Sequence, residues 1–141
     1  MAFTQNAIPT FPFQPENGHV QILPANTTAQ KTLFTAGANG SKIIGVIIGS
    51  TDTSARDVQL SIVNSATTYV LGTKTIAITA GFVAGTPSVN LLDPAVIVGM
   101  PVDNDGNPFL FLIFGDTLVV NCLTTVTTAK IIACHCIAEN F

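Results

Sequence analysis

Apolar and polar residues alternate with a period of two in separate short stretches of this chain, and no stretch sustains a 3.6-residue period. Period two places successive side chains on opposite faces of a strand. HVQIL at His19–Leu23 and RDVQLSIV at Arg56–Val63 read this way, and QKTLFT at Gln30–Thr35 is a further strand candidate. KIIGVIIG at Lys42–Gly49 is a continuous β-branched run and predicts a strand buried on both faces. Further strands are predicted at Thr67–Leu71, Lys74–Thr79, Leu91–Val98, Pro108–Phe114, Asp116–Leu123 and Ala129–Ala138. Asn39-Gly40, Asn64–Ala66 and Asp105-Gly106 mark turns between them. Eight to ten short strands at such spacing predict an all-β chain, an antiparallel β-sandwich, jelly-roll-like, with two layers. The expected core is Ile43, Ile44, Val46, Ile47, Val58, Leu60, Ile62, Phe109, Phe111, Leu118, Val120, Ile131 and Cys134. Truncating Phe111 to alanine in such a core is expected to cost about 3–5 kcal/mol.

The first residues break the pattern. Pro9, Pro12 and Pro15 exclude a helix or a central strand, while Phe3, Ile8, Phe11 and Phe13 alternate with them. Residues 1–17 therefore read as an extended N-terminal arm, sticky where a disordered tail is polar. Residues 18–141 read as one sandwich domain. Removing residues 1–17 is expected to leave that domain folded and to weaken its association with a partner.

Composition changes the picture from fold to setting. Charged residues make up 9% of the 141 positions, against about 25% in an ordinary globular domain. A free monomer keeps water on its surface with charges of both signs. A chain with so few is expected to cover much of its surface with other protein. The net charge of −3 and five scattered cations, Lys31, Lys42, Arg56, Lys74 and Lys130, argue against nucleic acid. The run Ile43–Ile48 is far shorter than the ~20 residues of a membrane-spanning helix. The N-terminus shows no basic stretch before an apolar one, so no secretory signal is expected, and synthesis in the cytoplasm is.

Candidate chemistry is sparse. DNDGN at Asp103–Asn107 carries calcium-ligand residue types, but Gly106 is fourth rather than sixth and Phe114 stands where a bidentate Glu is required. A hairpin turn is the reading. Cys122, Cys134 and Cys136 are expected to be buried, reduced thiols. Cys134 and Cys136 share one face of a strand about 7 Å apart, beyond disulfide reach, and His135 takes the other face. No catalytic residue, cofactor or metal ligand is expected. Only two histidines, His19 and His135, are present, and neither a nucleophile elbow nor a phosphate loop occurs. Arg56, the single arginine, stands between Asp52 and Asp57. It is expected either to pair with one of them or to anchor an interface.

KIIGVIIGSTDTSARDVQLSIVN, followed by NLLDPAVIVGMPVDNDGNPFLFLIFGDTLVV, resembles the small cement, or decoration, proteins of tailed bacteriophages over residues 42–120. The resemblance implies a virion structural protein that binds and stabilises the major capsid protein shell, assembled in the host cytoplasm. It implies a homo-oligomer, dimer or trimer, with no catalytic residues. On that reading Phe3, Ile8, Phe11, Phe13, Arg56 and the C-terminal Phe141 are the partner-binding candidates. The competing expectation is a carbohydrate- or receptor-binding sandwich of a phage fibre or cell surface, for which exposed aromatic platforms are few. A small hydrolase is disfavoured.

Overall fold

The computed structural model describes residues 14–141. Ten strands form two antiparallel sheets: β1 (Gln14–Pro15), β2 (Gly18–Ile22), β3 (Lys31–Thr35), β4 (Ser41–Ser50), β5 (Arg56–Asn64), β6 (Thr67–Ile76), β7 (Val89–Asn90), β8 (Leu110–Leu112), β9 (Thr117–Cys122) and β10 (Ile132–Asn140). In the first sheet β1 and β2 lie along one side of β10, β10 pairs with β4, and β7 and β8 lie along the far side of β4. In the second sheet the order is β3-β9-β5-β6. With β1/β2 and β7/β8 each counted as one interrupted edge strand, eight segments remain. They lie in the orders 1-8-3-6 and 2-7-4-5. That order is the double-sheet wrapping of a jelly roll, as the strand pattern predicts.

The core follows from the pleat. Ile43, Val46 and Ile48 of β4 and Ile132, Cys134 and Cys136 of β10 face inward from the first sheet, and all are buried. Val58 and Leu60 of β5 and Leu118, Val120 and Cys122 of β9 meet them from the second. Each large side chain so placed contributes about 1.5–3 kcal/mol relative to its exposed state.

The two open sides of the sandwich close at glycines. A Cβ on Gly18 would stand 1.9 Å from the Leu33 carbonyl oxygen, so β2 approaches β3 across the sheets only because this residue has none. On the other side Gly72 of β6 faces the Val96 carbonyl oxygen, 2.6 Å from where its Cβ would be. Val96 belongs to a loop predicted as the strand Leu91–Val98. Pro94 and Asp93 turn it instead: Val96 N–H and Ile97 N–H donate to the Asp93 carbonyl at 2.8 and 2.9 Å, and Ala95 N–H to Asp93 Oδ1 at 2.8 Å. The loop buries Leu91, Leu92 and Ile97 as a plug, which explains its apolar pattern without a strand.

Other boundaries shift for equally local reasons. Thr67–Leu71 and Lys74–Thr79 are one strand, β6, which bulges against β5 between Leu60 and Ser61. The predicted strand Pro108–Phe114 contracts to β8. Lys42–Gly49 is central in its sheet yet buried on one face only, because no third layer of described residues covers the outer side. Ile44 is therefore 38% exposed, and Phe111, expected in the core, is 55% exposed. Ile47, Ile62, Phe109 and Ile131 are half-buried.

Candidate functional site

The outer face of the first sheet is the chain's most unusual surface. Phe111 pairs in β8 with Lys42 of β4, and both point outward. Phe109 packs edge-on to Phe111 with ring centroids 5.0 Å apart, and Phe141 follows at 5.9 Å. Lys42 Nζ sits 4.8 Å over the Phe109 ring, a cation–π contact that leaves this cation lying along apolar surface rather than standing clear of it. Ile44 and Ile137, on β4 and β10, are also exposed, and Ile113 and Phe114, 68% and 73% exposed, follow β8 in the turn to β9. Apolar patches of this kind on a monomer mark interaction sites.

Phe141 is held in this group by the backbone. Its N–H donates to the Gly40 carbonyl at 3.2 Å, and Asn39 Nδ2 donates to its carbonyl oxygen at 3.2 Å. Gly40 is left-handed at φ 92° and turns the chain between β3 and β4, as the Asn-Gly dipeptide predicts. Gln14 pairs with Asn140, so the chain enters the sheet one residue from Phe141. Glu16 N–H donates to the Ala138 carbonyl at 2.9 Å, which fixes residues 14–16 along β10. The arm candidates Phe3, Ile8, Phe11 and Phe13 lie outside the described residues.

Arg56 lies elsewhere, at the end of the sandwich opposite Phe141. Its Nε donates to Asp52 Oδ2 at 2.7 Å, and its two terminal nitrogens reach Thr124 Oγ1 at 3.2 Å and Thr127 Oγ1 at 2.8 Å. Asp52 is fully buried. It also accepts the Ser54 and Thr127 N–H groups, each at 3.0 Å, and the Thr127 hydroxyl at 2.6 Å. Burial pushes its carboxyl up, and the hydrogen bonds from Arg56, Thr127 and Ser54 together outweigh that, holding it well below the usual carboxylate range. The arginine thus clasps the loop after β4 to the loop after β9. The nearby Asp52 was visible in sequence; Thr124 and Thr127, some 70 residues away, were not.

Asp103 organises the DNDGN turn. Its Oδ1 accepts the Asp105 and Asn107 N–H groups at 2.9 and 2.8 Å, and these bonds, that from Asn107 foremost, hold its carboxyl below its ordinary value. Gly106 takes the left-handed conformation, φ 82°, that completes the turn. The three thiols are free and buried. Burial pushes Cys122 up to about 11 and Cys134 and Cys136 to about 12, so thiolate is scarce at neutral pH. Ellman's reagent is expected to leave all three unreacted in the native chain and to titrate three per chain in denaturant. Rapid native labelling of even one would contradict its burial.

Among the described residues no group of three or more His, Cys, Asp or Glu could gather a metal ion, and no helix is long and apolar enough to cross a membrane. No protein-family model matches the chain, and no curated protein matches it in sequence. Among solved structures it is similar to a chain of the cyanophage Pam1 capsid asymmetric unit, at 16% identity and a TM-score of 0.49, over 89% of this chain and 82% of that one. It is also similar to the Drosophila NLP core, a structure described for pentamer formation and histone binding. That likeness has 8% identity and a TM-score of 0.43, over 91% of this chain and 98% of that one.

Proposed function

We propose that this chain is a virion structural protein, a cement or decoration protein that binds and stabilises a shell of major capsid protein. The observation that carries the reading is the exposed aromatic face of the first sheet, where Phe109, Phe111 and Phe141 gather. Phe111 stands more than half exposed on it, and Ile113 and Phe114, also more than half exposed, follow in the turn after β8. Burial of each against a partner contributes on the order of 1.5–3 kcal/mol before the costs of association. One contact of this kind is modest, and many symmetric copies on a shell multiply it through avidity. The scarcity of charge supports the same setting, because a surface held against protein has less need of ions. On this reading the chain is no enzyme and binds neither nucleic acid nor membrane. It works as a dimer or trimer on the virion, with the arm's Phe3, Ile8, Phe11 and Phe13 as further anchors.

The test uses phage shells assembled without this chain. Purified full-length protein, a variant lacking residues 1–13 and the double variant Phe111→Ser/Phe114→Ser are each mixed with the shells and sedimented. Both variants are expected to keep the β-type circular dichroism spectrum and to lose at least about tenfold in affinity for the shell, the equivalent of 1.4 kcal/mol. Full occupancy by both, with unchanged shell stability, would remove this face and the arm from the contact.

A further inference from the structure

His19 and His135 are the chain's two histidines, and the fold sets them side by side. They are direct cross-strand partners between β2 and β10. Their neighbours Cys134 and Cys136 point into the core, so both imidazoles stand on the outer face of the first sheet. The rings stack at 4.5 Å between centroids and 27° between planes, and the two Nδ1 atoms are 2.7 Å apart. One ring must donate there and the other accept. Two nitrogens of the same kind thus lie within one hydrogen-bond length of each other on the outer face. Beside His19 is a shallow cavity whose other lining residues are Val20, Gln21, Ala133 and Cys134, the last with its side chain buried toward the core.

The geometry points to a bidentate site for a divalent transition-metal ion of the imidazole-binding class, with water in the remaining positions. Imidazole nitrogens bind such ions at about 2.0–2.1 Å, so two of them on one ion at right-angled to tetrahedral geometry lie roughly 2.9–3.4 Å apart. The pair needs to spread by only a few tenths of an ångström, which ring rotation supplies without moving either strand. The donating ring passes its proton from Nδ1 to Nε2 through solvent, each ring then offers a lone pair, and the neutral pair releases no net proton. Nitrogen donors select against Mg²⁺ and Ca²⁺, which take oxygen. Cys134 and Cys136 open on the opposite face and cannot join the site. An ion held by the exposed His19 of edge strand β2 and the half-buried His135 of β10 lies on the outer face of the sheet and leaves the core untouched, so the fold does not depend on it.

The experiment titrates the full chain, free of any affinity tag, with NiCl₂ in a calorimeter and follows the imidazole resonances by NMR. One Ni²⁺ per chain is expected, with both imidazoles broadened together, affinity rising from Co²⁺ through Ni²⁺ to Cu²⁺, and no heat from MgCl₂. His19→Ala and His135→Gln should each lower Ni²⁺ affinity by at least about tenfold while keeping the wild-type melting temperature. Unchanged Ni²⁺ binding in either variant, or broadening of one imidazole alone, would overturn the site.

Discussion

Replacing Arg56 with alanine is expected to lower the unfolding free energy by about 3–5 kcal/mol, the cost of leaving a buried charge without its partner. For a chain of this size that is a loss on the order of 10 °C in melting temperature. The effect is large because Asp52 has no exposed surface while its guanidinium partner is 2.7 Å away. The same arginine holds Thr127, whose own hydroxyl donates to Asp52, so its removal loosens the loop after β9 as well. Adding Asp52→Asn to Arg56→Ala should recover part of the loss, since an amide tolerates burial better than an unpaired carboxylate. The double-mutant cycle isolates that coupling. The pH dependence has a fixed sign. A carboxyl depressed in the folded state adds stability above its unfolded value, near 4, and loses that contribution as pH falls through the lower folded value. Without Arg56 the folded value rises, so the gap between wild type and variant is widest at neutral pH and narrows in acid. A variant melting within about 2 °C of wild type at pH 7 would place the clasp among surface ion pairs of little consequence.

The strand pattern was legible wherever one face of a strand meets the core. The alternation in Arg56–Val63 and the turn at Asn64–Ala66 reappear as β5 and its hairpin to β6, with Ser65 and Ala66 both at positive φ. The three thiols were legible too, because C-x-C on a strand puts both sulfurs on one face. What sequence could not supply is which face a neighbouring layer covers. KIIGVIIG reads as doubly buried, since a β-branched run looks the same whether its second face meets a helix, a partner or water. Leu91–Val98 carries strand-like residues for a different reason: three of them plug the open side of the sandwich from a turn. The local pairing of Arg56 with Asp52 was one of the two expectations for that arginine, but its reach to Thr124 and Thr127, like the pairing of His19 with His135, depends on how distant segments meet, and a single sequence holds no record of that. The aromatic face was half visible. Phe141 stood out as an apolar terminus, whereas Phe109 and Phe111 were absorbed into an expected core.

That exchange of roles gives the second large effect. Truncating Leu118 to alanine should cost about 2–5 kcal/mol, because the side chain is fully buried between the sheets and its loss leaves a cavity. Truncating Phe111, with a larger side chain from an equally apolar stretch, should cost only about 1 kcal/mol. Its ring is 55% exposed, so its two ring pairs, with Phe109 and Phe141, stand at the low end of the about 0.5–1.5 kcal/mol that each such pair is worth. Denaturant titration of the two variants at equal slope reads the difference directly. Equal losses would mean that Phe111 faces the core and that the register of β8 against Ser41–Ile43 is shifted by one residue, since a one-residue slip turns every side chain to the other face. The shell-binding assay completes the contrast. Leu118→Ala, studied at a temperature where it remains folded, should occupy shells as the wild type does. Phe111→Ala, nearly as stable as wild type, should not, because what its ring lacks in folded-state burial it gains only when a partner covers the sheet.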